Sequence, residues 1–456
     1  MDNQNPPAED GVQQMAAAPP PLFFQKRFWP LWSAFSLGAF ADNMLRQALI
    51  IGISFGVIAV NIFSNSDDAI PVIGSLFAVS MLLFSPLAGQ FADKYDTAMM
   101  ARRTKLIEML IMAVAAVGFF IGNGPLLIGC LFAMGVQSAF FSPVRTGAMP
   151  KYFAPDELIR ANALFNAGLF VAIILGLLFG GLFIEQPSGG EKVSGFLIGA
   201  SVLGYLAVRS APKAAATAPE LKIDWNIFAQ GVRIFGFALK APGVSRPMIG
   251  FSLFYFMSTF VTVLLPLYVR DALGGTGAVA TAIMGLFAIG AGLGAIGASL
   301  LSKGKSGLGF AAVGISSAGL ITLAIYALTG PVALAGASTV AELFTSPAGV
   351  AIGLCFVATS ASMGLYIVPL QAAVQRRAPA EKRARILAAN NMLVAAMAFL
   401  GSNAVLAVTR TSLTPTGAFL IVAAMQFAIA LYMFRRKRAV KEGLFDEMLE
   451  GERASP

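Results

Sequence analysis

A helical membrane protein with twelve spans in two six-helix bundles is the fold class predicted by three features of this chain. The first is composition: of 456 residues, 57% are hydrophobic and 12% charged, with a mean hydropathy of +0.76. A soluble domain carries about 25% charged residues, so this chain lacks the polar side chains to cover itself in water. The second is the length of its apolar runs, roughly 18 to 28 residues. That suits helices crossing a bilayer and excludes the short alternating strands of a membrane barrel. The third is that its basic residues gather in alternate loops.

The elements follow in order. Residues 1–25 are rich in Pro, Ala and Gln and read as a disordered tail without the basic start and apolar core of a signal peptide. Apolar runs then predict spans at 30–58, 69–92, 104–122, 125–147, 158–184 and 193–210, which place a first bundle within 26–210. A second set at 246–269, 276–301, 307–329, 346–372, 386–408 and 415–434 places the other bundle within 246–436, with a tail over 437–456. The moderately apolar stretch from Pro331 to Phe344 is broken and reads as an outer loop or re-entrant piece. Residues 211–245 form the longest connection, a linker between the halves. Within it Trp225, Phe228, Val232, Phe235 and Leu239 recur at helical spacing opposite Asn226, Gln230, Arg233 and Lys240. That pattern predicts a helix lying in the interface plane and tethering the halves.

Placing the N-terminus inside sends Lys26, Arg27, Lys94, Arg102, Arg103, Lys151, Arg209, Arg246, Arg376, Arg377 and Arg435 to the inner side with most other cations. Only Lys192, Arg270 and Arg410 fall outside. Both termini are therefore expected in the cytoplasm. The net charge of +9 belongs to this asymmetry, not to a nucleic-acid surface. Cys130 and Cys355 sit in apolar runs and read as small buried hydrophobes. The chain has no histidine. That removes histidine catalysis, histidine metal ligands and acyltransferase His-Asp chemistry, so neither an enzyme nor a metal or cofactor protein is expected.

Charge inside an apolar span must face protein or water, because hydrocarbon does not solvate it. Asp42, Asn43 and Arg46 stand in the middle of the first span, about 18 Å from its start, near mid-bilayer. Asp42 and Arg46 are four residues apart and share a face. They form either a ligand pair or a mutually neutralising one. Lys105 and Glu108, three apart near the inner end of the third span, read as a late ligand contact, an inner gate or a structural ion pair. Gly89-Gln90-Phe91-Ala92-Asp93-Lys94 closes the second span, where glycine allows close packing and Asp93 can latch a helix N-terminus or an arginine. Arg145 lies about 30 Å down the fourth span, at the position of a gate or a topology anchor. Asn390 and Asn391 open the eleventh span, and Tyr366 and Gln371 lie on the tenth. All four are candidates for gate or cavity lining, with helix packing as the alternative. Gly176-x3-Gly180 and Gly290-x3-Gly294 predict close helix approach.

Two six-helix halves joined by a long inner loop match the major facilitator architecture, and the segment from Gly89 to Lys94 resembles its signature after the second helix. The resemblance narrows at four stretches: Phe40-Ala41-Asp42-Asn43-x2-Arg46-Gln47-Ala48-Leu49; Pro86 to Asp96 with Lys105 and Glu108; Phe141 to Gly147 with Glu157 to Leu164; and Gly364 to Gln371 with Ala388-Ala389-Asn390-Asn391. Together they resemble the lysophospholipid transporter (LplT) family. Three positions depart from the family pattern: Ala41, Asn166 in place of a common glutamate, and Arg145-Thr146 in place of lysine-tyrosine.

The resemblance implies a flippase of the bacterial inner membrane that carries lysophospholipids, such as lysophosphatidylethanolamine, from the outer to the inner leaflet by alternating access. It also implies a separate cytoplasmic acyltransferase as a partner, and a monomer is expected. The substrate-binding set expected here is Asp42, Asn43, Arg46, Lys105, Glu108, Asn166, Tyr366, Gln371, Asn390 and Asn391, with Gly89, Asp93, Lys94 and Arg145 as the gate. A lysolipid headgroup needs a cation for its phosphate and an acid for its amine. Asp42 fits the amine and Arg46 the phosphate. The rival reading is a proton-coupled exporter of drugs or metabolites with the same fold.

Overall fold

The computed structural model describes residues 22, 25, 27–154, 157–226, 229–231, 233, 236, 243–302, 308–335, 339–377 and 383–441. Among them, twelve long helices run in sequence. In the first half these are α1 (Trp29–Ser54), α2 (Ala69–Lys94), α3 (Thr97–Phe120), α4 (Gly124–Tyr152), α5 (Leu158–Ile184) and α6 (Gly189–Arg209). In the second they are α7 (Ser245–Tyr268), α8 (Gly277–Ser302), α9 (Leu308–Ala335), α10 (Pro347–Arg377), α11 (Arg383–Thr409) and α12 (Pro415–Lys441). Ten are long and apolar enough to cross a membrane. The two others, α1 and α3, are those that carry Asp42 and Arg46, and Lys105 and Glu108.

Several helices outrun the apolar runs that predicted them. α3 starts at Thr97, α4 reaches Tyr152 and α10 reaches Arg377. Backbone hydrogen bonding carries a helix on into the polar interface, whereas hydropathy marks only the hydrocarbon part. Caps set the new starts. Asp96 accepts from the Met99 amide at 2.8 Å and begins α3; Asn123 accepts from the Leu126 amide at 2.9 Å and begins α4. Pro331 lies inside α9, and a short capped helix follows at Val340–Thr345. The segment from Pro331 onward is therefore partly a continuation of α9.

The two halves repeat one packing scheme. α1 packs on α5, α2 on α4 and α3 on α6; in the same way α7 packs on α11, α8 on α10 and α9 on α12. Between the halves, α2 meets α11 and α5 meets α8. Glycine makes the tightest of these contacts possible. A β-carbon on Gly176 or Gly180 would run into the carbonyls of Phe40 and Met44 on α1, and one on Gly294 would strike Ala361 of α10. Both small-residue motifs are therefore crossing points, as their spacing predicts.

The helix ends define two faces. The linker end carries Lys94, Arg102, Arg103, Lys151, Arg209, Arg246, Arg376, Arg377 and Arg435, and the far end carries Lys192, Arg270 and Arg410. At the far end the halves are bonded together. Arg270 donates to both Asp67 carboxylate oxygens and to the Ser54 carbonyl, each at 2.8 Å. Arg410 pairs with Asp68 at 3.0 Å, and Glu185 accepts from the Gly277 amide at 3.0 Å. Ser402 donates to the Pro71 carbonyl at 2.7 Å. At the linker end, Asn166 and Asn391 are exposed. Among the described residues, the side-chain bonds between the ends of the two halves gather at the far end.

The first part of the linker is strapped to the first half. Ala214 and Ala218 bond the backbone at Thr97 and Asp93, and Arg102 donates to Ala211 at 2.8 Å. Gln90 of α2 accepts from the Asp224 amide at 2.7 Å and donates to Gln230 at 2.9 Å. Trp225 stacks edge-on against Phe91 at 6.0 Å. The remaining members of the predicted amphipathic face, Phe228, Val232, Phe235 and Leu239, lie outside the described residues, as do Lys26 and most of both tails.

Candidate functional site

The polar centre of the first half is built from α1, α3 and α4. On α1, Asp42, Asn43 and Arg46 are half-buried. Asn43 bonds back to the Ala39 carbonyl at 2.8 Å and so presents its oxygen to Arg46, which donates to it at 2.8 Å. Arg46 thus turns to Asn43, three residues back, and the described ion pairs do not include one between Asp42 and Arg46. Asp42 instead accepts from the Ser138 hydroxyl of α4 at 2.7 Å through Oδ2, while its buried Oδ1 has no partner. The carboxylate lies in the electrostatic field of Arg46 and Arg145, and of Lys105 and Glu108.

Arg145 lies two turns along α4 from Ser138. It is half-buried, faces the charge of Asp42, and makes no hydrogen bond or ion pair with a described residue. The cluster therefore has an acid with one free oxygen and two guanidinium groups, one held by Asn43 and one unheld. A cation or hydrogen-bond donor is favoured at Oδ1, and an anion at a guanidinium.

Lys105 and Glu108 are sealed, with side chains 0% and 1% exposed. The Lys105 ammonium bonds both Glu108 oxygens at 2.9 and 2.7 Å and sits 4.9 Å above the Phe141 ring. Gln137 donates to Glu108 at 3.2 Å and to the Thr104 carbonyl at 3.1 Å. Gly38 of α1 leaves the room, since a β-carbon there would lie 2.5 Å from the Lys105 nitrogen. In this conformation the pair offers no surface to a ligand. It neutralises itself and locks α1, α3 and α4 together.

The other sequence candidates are dispersed. Tyr366 is fully buried and donates to the Gly250 carbonyl at 2.7 Å, wedging α10 against α7. Gln371, Asn166 and Asn391 are exposed, whereas Asn390 is buried with an unpartnered Oδ1. Gly89 has open space where a β-carbon would stand. The Asp93 side chain is exposed and makes no bond with a described residue, and Lys94 is half-buried. The tie at this corner is made by Gln90, which the signature does not single out.

Comparison with known proteins supports this architecture. A family model described as Major Facilitator Superfamily matches residues 22–402. The lysophospholipid transporter LplT of Salmonella gallinarum (strain 287/91 / NCTC 13346) is 27% identical over 262 residues, 56% of this chain and 60% of that protein. LplT of Salmonella newport (strain SL254) matches to the same extent. Among solved structures, a POT family transporter in complex with a thioalcohol-conjugated peptide gives a TM-score of 0.67 at 14% identity, covering 90% of this chain and 96% of that one. A bacterial homologue of the iron transporter ferroportin in the inward-facing state gives 0.61 at 14% identity, covering 89% and 98%. These last two share the fold. The chain belongs to the Major Facilitator Superfamily, as a multi-pass membrane transporter similar to LplT.

Proposed function

We propose that this transporter moves lysophospholipids, lysophosphatidylethanolamine among them, from the outer to the inner leaflet of the bacterial inner membrane. One observation carries the reading: Asp42 keeps a buried carboxylate oxygen without a hydrogen-bond partner among the described residues while two arginines stand in its field. A zwitterionic headgroup has the complementary charges. Its ammonium meets Asp42 Oδ1, and its phosphate meets Arg145, which has no described bond of its own. A charged solute at this depth needs such partners, because bare hydrocarbon solvates neither charge. The name of the LplT relatives agrees with this substrate class. The basic linker end is the cytoplasmic side by the positive-inside rule, and the bonds at the far end then close the outer side. The far-end bonds of Arg270, Arg410 and Glu185 must then break for the site to face outwards.

The test is transfer of labelled lysophosphatidylethanolamine across proteoliposomes, comparing wild type with Asp42→Asn and Arg145→Gln. Wild type is expected to move the lipid and both variants to be slowed at least tenfold. A folded wild type that leaves the lysolipid in place would give the exporter reading precedence.

A further inference from the structure

Arg270 is the hub of the bonds at the far end. It stands in a single turn of π-helix, Val269–Leu273, that continues α7. Val269 and Leu273 are buried, and the turn packs on α8, α9 and α12, so it belongs to the second half. All five guanidinium N–H groups are used. Nη1 donates to the Ser54 carbonyl and to Asp67 Oδ1, and Nη2 to Asp67 Oδ2, each at 2.8 Å. Nε and Nη2 also donate to the two oxygens of Asp271, at 2.6 and 3.1 Å.

Three of these bonds cross between the halves. Ser54 ends α1, and Asp67 lies in the short turn Ser66–Asp68, which packs on α1 and α2. The other two stay within the arginine's own turn. Asp271 therefore travels with Arg270 when the halves part, and Asp67 does not. The other arginine at this end holds less firmly. Arg410 meets a single oxygen of Asp68 and is 64% exposed, against 30% for Arg270, so water readily replaces its partner.

In the closed arrangement two carboxylates share one guanidinium. Each attracts the arginine, and each repels the other. With the halves apart, Asp271 is the acid left to a planar fork that has lost its bonds to Asp67 and Ser54. We infer that the two acids act on the outer gate with opposite sign: Asp67 is the latch that holds it shut, and Asp271 is the resting partner that lets Arg270 leave. Neutralising Asp67 takes a bidentate pair from the closed state alone. Neutralising Asp271 strips the open state of its acid, whereas the closed state keeps Asp67 and loses a repulsion. Were both acids simple braces for the arginine, neutralising either would loosen the gate. The inference rests on the alternating-access reading above, and it holds for any substrate.

The experiment reads how often the far end opens in the full chain, held in lipid nanodiscs. Thr281 of α8 is fully buried and faces Gly181 of α5 across the seam between the halves. The thiol introduced by Thr281→Cys, in a background with Cys130→Ala and Cys355→Ala, reacts with a charged maleimide in proportion to the open fraction. Exposed Ala341→Cys, beside α10, calibrates the reagent. Asp67→Asn should speed the reaction at Thr281→Cys about tenfold, the worth of hydrogen bonds to a charged group. Asp271→Asn should slow it severalfold. Damage to the fold would speed labelling, so it cannot mimic that slower rate. Faster labelling in both variants would overturn the inference, because Asp271 would then only brace the arginine. An Asp271→Asn or an Asp67→Asn that labels like wild type would overturn it too. If the thiol of wild type never reacts while the Ala341→Cys control does, the alternating-access reading itself fails and takes this inference with it.

Discussion

Neutralising Glu108 should destabilise the protein far more than replacing its whole ion pair. The Lys105 ammonium lies 2.9 and 2.7 Å from the two Glu108 oxygens, with both side chains essentially unexposed. At an effective dielectric of about 20, that separation gives an attraction of about 6 kcal/mol. Desolvating two ions offsets most of it, so an intact buried pair contributes little net stability. Breaking it is different, because the surviving charge keeps its desolvation cost without its partner. For Glu108→Gln the ammonium retains only the Phe141 face, 4.9 Å away, and a neutral amide. The expected loss is about 3–5 kcal/mol. The double variant Lys105→Met/Glu108→Gln should recover most of it and still transport, because the pair has no exposed atom for a substrate to touch. Thermal unfolding in detergent, followed by retention of the monodisperse peak, reads the stability. Flipping in proteoliposomes reads the activity. A Glu108→Gln protein as stable as wild type would refute the sealed-pair argument. A double variant that folds but does not transport would make the pair part of the substrate path.

Three further outcomes follow from other contacts. Gly180→Leu places a side chain against the Met44 carbonyl and should prevent α1 from docking on α5, seen as loss of folded protein; a normally folded variant would show that the crossing can open. Gln90→Ala removes the side chain that accepts from Asp224 and donates to Gln230, and should speed proteolysis within the linker; unchanged cleavage would mean that the backbone bonds at Ala214 and Ala218 hold it alone. Burial holds the Glu185 carboxyl above the usual carboxylate range, and the Gly277 and Ala278 amides only partly oppose that shift. The folded protein therefore binds this proton more tightly than the unfolded chain does, and stability rises as pH falls through the raised value. Wild type should gain melting temperature relative to Glu185→Gln, which keeps an acceptor for Gly277 but cannot titrate, as the pH is lowered towards the usual carboxylate range. Parallel pH profiles would contradict this.

The fold was legible because span length and loop charge report directly on the bilayer, and the glycine pairs report on helix crossings. The site was legible only in part. Asp42 stands out in its sequence because a carboxylate in an apolar run has few explanations. Its partner does not stand out, because that depends on how α4 is rotated against α1. Four-residue spacing favoured Arg46, but Asn43, one residue nearer, captures that guanidinium, and Ser138 of α4 reaches the acid instead. Ser138 and Gln137 are uncharged residues in a long apolar helix, a weak signal until the helices are packed. Distance along α4 gave Arg145 the position of a gate or a topology anchor, but not that it lies within the field of Asp42. The spacing of Lys105 and Glu108 showed that they can pair, but not that Phe141 and Gly38 would seal them in. Asp93 is held to Ala218 through its carbonyl, while its exposed side chain makes no bond with a described residue.

The central claim is that Asp42 recognises the ammonium of the headgroup, separately from the cation that holds the phosphate. It is tested most directly by comparing Asp42→Asn and wild type on two lysolipids in the same proteoliposomes, lysophosphatidylethanolamine and lysophosphatidylglycerol, which has no ammonium. The account predicts that Asp42→Asn loses at least tenfold on the ethanolamine lipid and little on the glycerol lipid. Equal losses on both, or none on either, would contradict it.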